Sequence, residues 1–429
     1  MIERYKQSNE CLTRAEKSIP LGSQTFSKSK VCYPQGASPF FIQKGAGANV
    51  WDIDGNKYID FVNGLLSVSL GYCDTDVDQA VFQQMQQGVT FSLPHKLEME
   101  VAELLIDLIP CAEMVRFGKN GSDATSAAIR LARAYTGKEH IAVCGYHGWQ
   151  DWYIGSTTRN LGVPSAVRTL THTFKYNDLD SLQKIITDNP QKLAAVILEP
   201  MNLYYPDKNF LKAVQLLCKN EGILLIFDET ITGFRFSIGG AQKLFGVTPD
   251  LATFGKGMSN GYPLSAVVGK KKVMKMMEDI FFSGTFSGET LSLAATKAVL
   301  TKLKTHNVIE HLHTIGKQLI DGLNDIIISL DSPKWLSLTG HPTWSFLLIH
   351  DSIHYDSLTL KSLFLQEMLK NGILINGSHN LSFSHTKEDI ETLLNTYKIV
   401  LPFIAQVIEK KNLEDVLEGS IIKPVFKVR

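Results

Sequence analysis

Apolar and polar positions alternate most clearly in FFIQKGAGANVWDIDGNKYIDFV, residues 40–62. Period-two stretches at 40–43, 48–53 and 57–62 predict a small antiparallel meander, with Asp54-Gly55 as a hairpin turn signal. Residues 1–20 read as helical, and Pro20-Leu21-Gly22 ends that stretch. From about residue 75 the texture changes. Helical periodicity runs through 96–109 and 123–136, the latter stopping at Gly137, a natural C-cap. Runs at 141–144, 193–198, 223–227 and 264–268 are apolar nearly throughout, as strands covered by helices on both faces require. This alternation predicts an α/β fold with a mostly parallel sheet. Beyond about 310, helical patterns at 308–328, 360–371 and 387–411 surround short strands near 344–349 and 373–375, which predicts a smaller α+β domain. The expected organisation is an N-terminal segment (1–70) that joins the small domain, a large domain (71–309) and a C-terminal small domain (310–429).

Composition narrows the partners. Hydrophobic residues make up 44% of the 429, and 43 basic residues balance 43 acidic ones, so neither nucleic acid nor an anionic membrane is expected. No apolar run approaches the roughly 20 residues of a membrane helix. The first residues, MIERYKQSNECLTRAEKSIP, lack the apolar core of a signal peptide. Six cysteines without a CxxC pair read as free thiols, and together these features predict a cytoplasmic protein.

Three segments carry candidate chemistry. In DLATFGKGMSNGYPLSAVVG, Lys256 lies among Gly255, Gly257 and Gly261, where backbone can approach a ligand closely. A phosphate-binding P-loop is excluded, because Asp250 stands at its first glycine and Gly257 replaces its Ser/Thr. An exposed loop lysine fits the same pattern. The run 223–227 delivers Asp228 and Glu229 at a strand's C-terminal end, where open α/β sheets bind ligands. A carboxylate there can hold a pyridine nitrogen protonated, though strand-end acids also cap the next turn. Asn120-Gly121-Ser122 precedes an Ala-rich helix whose N-terminus suits an anion such as a phosphate; an ordinary helix cap uses the same residues.

Together these segments resemble the class III, fold-type-I aminotransferases that use pyridoxal phosphate, and among them the glutamate-1-semialdehyde aminomutase branch most closely. GANVWDIDGNKYIDFV looks like the family's xxDxDGxxYID segment, NGSDAT like its SGTEA and CGYHGWQD like its YHG motif. ILEP, FDETITGFR (the family has DEVxTGFR), FGKGMSNGYPLSAVVG, GTFSG and FSHTKEDI (AHTxEDI) follow in family order across nearly the whole chain. The resemblance implies that Lys256 forms the Schiff base and shuttles a proton, and that Asp228 pairs with the pyridinium nitrogen. It implies that Asn120, Gly121 and Ser122 hold the phosphate, with Tyr146 stacked on the ring and His147 in a supporting hydrogen bond. Thr230 takes a valine's place beneath the ring, and its hydroxyl needs a partner if buried. Glu199 matches the strand-end EP glutamate, and Asn202 stands where a glutamine bonds the ring hydroxyl. Thr285 matches a threonine that reaches the phosphate of a neighbouring subunit, which implies a homodimer with shared active sites.

The resemblance thins at the substrate. Lys28 stands where the aminomutases carry a carboxylate-binding arginine, and a lysine lacks the bidentate fork. Their SWG becomes Gly64-Leu65-Leu66, and GHPTWSFLLI lacks the carboxylate-binding arginine of many ω-transaminases. Trp149 and Trp152 follow the YHG motif and either pack the loop or stack on a flat or sugar-like substrate. His306, His311 and His313 cluster on a charged helix without HExxH, which reads as a solvated face and no metal site. The expected activity is transfer of an amino group from an amino-acid donor to a carbonyl acceptor, with sugar-like molecules among the acceptors considered; an intramolecular aminomutase is the alternative. A non-catalytic protein of the same fold is a third reading, against which the retention of Lys256 and Asp228 argues.

Overall fold

In the computed structural model, which describes residues 3–424, the N-terminal helix Lys6–Ala15 precedes a meander of β1 (Ile42–Ala46), β2 (Asn49–Asp52) and β3 (Lys57–Asp60). The hairpin forms because Asp52 accepts at Oδ1 from the Asp54 and Asn56 amides, which tightens the Asp54-Gly55 turn. The chain then runs into a larger sheet of β4 (Met114–Gly118), β5 (His140–Cys144), β6 (Thr171–Thr173), β7 (Leu193–Leu198), β8 (Leu224–Asp228), β9 (Leu251–Phe254) and β10 (Ser265–Gly269). Its order is β4-β10-β9-β8-β7-β5-β6. Only β10 runs antiparallel to its neighbours; the other pairings are parallel. Every residue of LAAVIL in β7 is buried, as a strand sandwiched between helices must be. Last come β11 (Leu336–His341), β12 (Trp344–Ile349), β13 (Ile373–Leu374) and β14 (Ser378–Asn380).

The chain separates into two compact units, formed by the described parts of Met1–Leu65, Leu70–Asp74 and Glu310–Val425, and of Leu66–Ser69 and Thr75–Ile309. In the first, β13 pairs in parallel with β3 (Ile373 opposite Ile59), so the two ends of the chain share one sheet of order β1-β2-β3-β13. Tyr5, Val50, Tyr58 and Leu369 form a core beneath it, drawn from segments more than 300 residues apart. The core of the second unit collects Ala127, Ala128 and Leu131 of the helix Gly121–Thr136 against Ile141, Ala195, Ile197 and Ile226 of the sheet. Small alanines let that helix lie close on the strands, and Gly137 ends it at φ 67°.

One local reading needs correction. His311 Nε2 bonds the His385 carbonyl at 2.8 Å, and the His313 ring meets His341 edge-on at 4.6 Å, so these two face protein rather than solvent. Asn63, Gly64, Leu65 and Leu66, short helix-like in their hydrogen bonding, all have positive φ, a left-handed turn that L-residues adopt only at a conformational cost.

Candidate functional site

At the C-terminal ends of β7 and β8, the second unit encloses a cavity of about 230 Å³ lined by Gly121, Ser122, Tyr146, His147, Trp149, Glu199, Asp228, Thr230 and Lys256, among others. Lys256 begins the short turn after β9 with φ 45°, an uncommon backbone state for a non-glycine residue. Ser69 Oγ donates to the Gly257 carbonyl at 2.9 Å and pins the turn. Burial pushes the Lys256 ammonium below its ordinary value; Glu199 and Asp228 pull it back up, and Arg235 adds to the lowering. A lysine so placed has a share of the neutral, nucleophilic amine.

Asp228 is the most elaborately held side chain in the cavity. Its Oδ1 accepts from Thr230 N at 3.1 Å, Thr230 Oγ1 at 2.6 Å and Thr253 Oγ1 at 3.0 Å. Its Oδ2 lies 2.9 Å from His147 Nδ1, and His147 Nε2 lies 3.1 Å from the Cys144 carbonyl. Both nitrogens of this buried ring therefore lie against oxygens that can accept from them. Burial alone would raise the Asp228 carboxyl, but the hydrogen bond and charge of His147 and the bonds from Thr230 outweigh it and hold it below its ordinary value. The site thus contains a buried carboxylate whose ionised form is favoured, with an imidazole held against it. Glu229, next along the chain, turns to the opposite side and caps the helix Gly240–Phe245 through the Ala241 and Gln242 amides. Of two adjacent acids, the strand's pleat sends one to the cavity and the other to a cap.

The helix Gly121–Thr136 opens onto the cavity at Gly121 and Ser122, whose N–H groups meet no protein acceptor among the described residues. A Cβ at Gly121 would lie 3.1 Å from Thr230 Cγ2, so the glycine keeps this corner open. Asp123 Oδ2 accepts from the Lys119 and Asn120 amides and fixes the turn leading into the helix. The segment carrying Tyr146 and Trp149 is tied to the same helix: Thr125 Oγ1 donates to the His147 carbonyl at 2.8 Å, and Trp149 N to Ser122 Oγ at 3.3 Å. Gly148, at φ 104°, touches Ser122 so closely that a Cβ would fall 2.3 Å from its Oγ. Gly148→Ala is accordingly expected to cost about 1–3 kcal/mol in a urea titration, through strain and overpacking.

Of the residues singled out in the sequence, Asn120, Gly121, Ser122, Tyr146, His147, Trp149, Glu199, Asp228, Thr230 and Lys256 come together around this cavity. The Thr230 hydroxyl finds its partner in Asp228. Four others lie elsewhere. Trp152 is 8% exposed, with its indole Nε1 bonded to Ser126 Oγ at 3.0 Å and its ring stacked on His147, so it packs behind the site. Asn202 is not in the lining; its Nδ2 donates to Glu199 Oε2 at 2.9 Å. Thr285 is exposed in a separate hollow with His95, Glu98 and Arg116. Lys28 belongs to the first unit, where its charge acts on the buried carboxyl of Asp60. Thr253 escaped the sequence reading, although a lone threonine in the apolar run LATF was the available signal.

Residues 32–387 match the family model for aminotransferase class-III. A 3-aminobutyryl-CoA aminotransferase of Cloacimonas acidaminovorans is 34% identical over 91% of this chain and 96% of its own. A glutamate-1-semialdehyde 2,1-aminomutase of Alkaliphilus oremlandii is 36% identical over 91% and 97%. Among solved structures, the PLP internal aldimine form of the FumI protein from Sphingopyxis sp. MTA144 superposes with a TM-score of 0.88 at 27% identity, over 94% of this chain and 98% of that one. The fold and these matches agree, and the chain belongs to the class-III aminotransferases.

Proposed function

We propose that the protein binds pyridoxal phosphate in the Lys256 cavity and transfers an amino group from an amino-acid donor to a separate carbonyl acceptor. The observation that carries this reading is the pairing of a depressed lysine amine with a carboxylate kept ionised by its own histidine, in one small cavity. The residues fit the cofactor group by group. Asp228 supplies the charge a pyridinium needs, Lys256 the amine a carbonyl needs, and Gly121 with Ser122 two unengaged N–H groups for a phosphate. When bound, the cofactor supplies an electron sink for the carbanion that forms beside the substrate nitrogen. Lys256 Nζ tethers it and then carries the proton between carbon centres. Asp228 keeps the ring nitrogen protonated, and His147 keeps Asp228 charged and oriented. Tyr146, anchored through its amide on Glu199 Oε2 at 3.0 Å, covers one ring face.

The acceptor is a poorly anionic carbonyl compound of sugar-like character. Trp149, 65% exposed on the cavity wall, offers a flat face to such a molecule, and the Lys28 charge is shared with Asp60. Thr285 reaches the phosphate of a neighbouring subunit, so the active form is a homodimer; this part rests on the family resemblance. The identity with aminomutases favours a second reading, in which the amine moves within one substrate. The absorbance spectrum separates the two. Addition of L-glutamate or L-alanine is expected to bleach the long-wavelength band to the pyridoxamine form with release of one 2-oxo acid per site. A band that no donor shifts would favour the aminomutase, and no band after cofactor addition would sink both.

A further inference from the structure

Glu199 follows β7 as Asp228 ends β8, and the parallel register (Leu198 opposite Phe227) sets the two acids side by side at one end of the sheet. Glu199 is 6% exposed and lines the cavity with Lys256. Its two oxygens are not equivalent. Oε2 accepts from Tyr146 N at 3.0 Å and Asn202 Nδ2 at 2.9 Å, and a Cβ at Gly145 would lie 2.5 Å from it. No described residue donates to Oε1, which is the oxygen left to meet a ligand. An oxygen already accepting two N–H groups is the carbonyl-like one, so a proton on this carboxyl sits on Oε1. Burial raises the carboxyl above its ordinary value and the charge of Asp228 raises it further, while His147, Tyr146 N and Asn202 pull it back only in part. With Asp228 ionised one strand away, the acid is the form that this wall accommodates.

We propose that Glu199 is a catalytic residue whose Oε1–H donates a hydrogen bond to the ring hydroxyl oxygen of the bound pyridoxal group, and that Asn202 is a positioning residue that aims it. The inference rests on pyridoxal phosphate occupying the Lys256 cavity. The donor stabilises negative charge on the ring oxygen, so the proton equilibrium of the bound chromophore reports on it directly.

The experiment is a spectral pH titration of holoenzyme for the wild type, E199A, E199Q and N202A, each also treated with borohydride and mapped for label at Lys256. In E199A the titration midpoint is expected to rise by roughly one to two pH units, the worth of a hydrogen bond to a charged group. E199Q keeps an N–H donor and restores most of the shift, and N202A gives a smaller rise. A labelled E199A with an unmoved midpoint overturns the proposal; an unlabelled wild type removes the reading beneath it, and the proposal with it. Thermal unfolding of the apoprotein gives a readout free of cofactor. A carboxyl held above its ordinary value contributes stability at low pH that is lost as pH rises through its folded value. The stability of E199Q relative to wild type should therefore grow from acid to alkaline pH, and a pH-independent difference overturns the neutral acid.

Discussion

Lys256→Ala is expected to abolish borohydride labelling and to lower kcat by about 10²–10⁴-fold at saturating cofactor, the range that a positioned proton carrier contributes. The loss should be larger in kcat than in substrate KM, because the amine acts on developing charge at carbon and not on ground-state binding. The tether and the proton carrier are the same nitrogen, yet their contributions are separable. Small primary amines supplied in solution should return part of the rate to the variant without restoring the label. A variant that keeps wild-type turnover, or a label that maps to another lysine, would remove Lys256 from the chemistry. The fold should survive, since its side chain sits in a turn pinned independently by Ser69 and Gly257.

Asp228→Asn is expected to act on stability and catalysis together. The amide matches the carboxylate in shape, so the bonds from Thr230 and Thr253 can remain, but the charge facing His147 disappears. Removing one member of a buried ion pair typically costs about 3–5 kcal/mol, because the other charge is left uncompensated. His147→Asn should be nearly as harmful alone. The double variant should lose less than the sum of the two, since neither buried charge then lacks its partner. Strict additivity in chemical denaturation would mean that the 2.9 Å contact is not an ion pair. Activity in Asp228→Asn should fall even where the protein is fully folded, because a neutral amide does not hold a ring nitrogen protonated.

Much of this was legible in the sequence because the key residues follow strong local signals. Asp228 ends an apolar run, Gly121 precedes an Ala-rich helix and Gly137 closes it. Strand β9 was not legible, since four residues of LATF carry little periodicity. The same holds for β4, in which Arg116 interrupts MVRFG. Side-chain direction was harder still. Trp149 and Trp152 sit three residues apart, yet Trp149 lines the cavity while Trp152, in the short helix Asp151–Ile154, packs against His147. Asn202 reads as a ring ligand by position, but its amide bonds Glu199 within the wall. Such outcomes depend on how a loop is threaded between helices, which no window of local sequence encodes. Substrate contacts are the least legible part, because at Lys28 and Gly64-Leu65-Leu66 the sequence departs from the family pattern and leaves no motif to read.

The pairing of β3 with β13 has a consequence for biosynthesis. Ile59 leaves the ribosome more than 300 residues before Ile373, its partner in the ladder. At about 5–20 residues per second, the nascent meander waits roughly 15–60 s with one flank unpaired. The intervening segment, with its own core, can condense during that interval. Vectorial synthesis thus completes the middle of the polypeptide first, and the amino-terminal ladder is a liability for intermolecular strand addition until translation ends. Slowing elongation should increase aggregation of nascent chains, and supplying residues 310–429 in trans should relieve it.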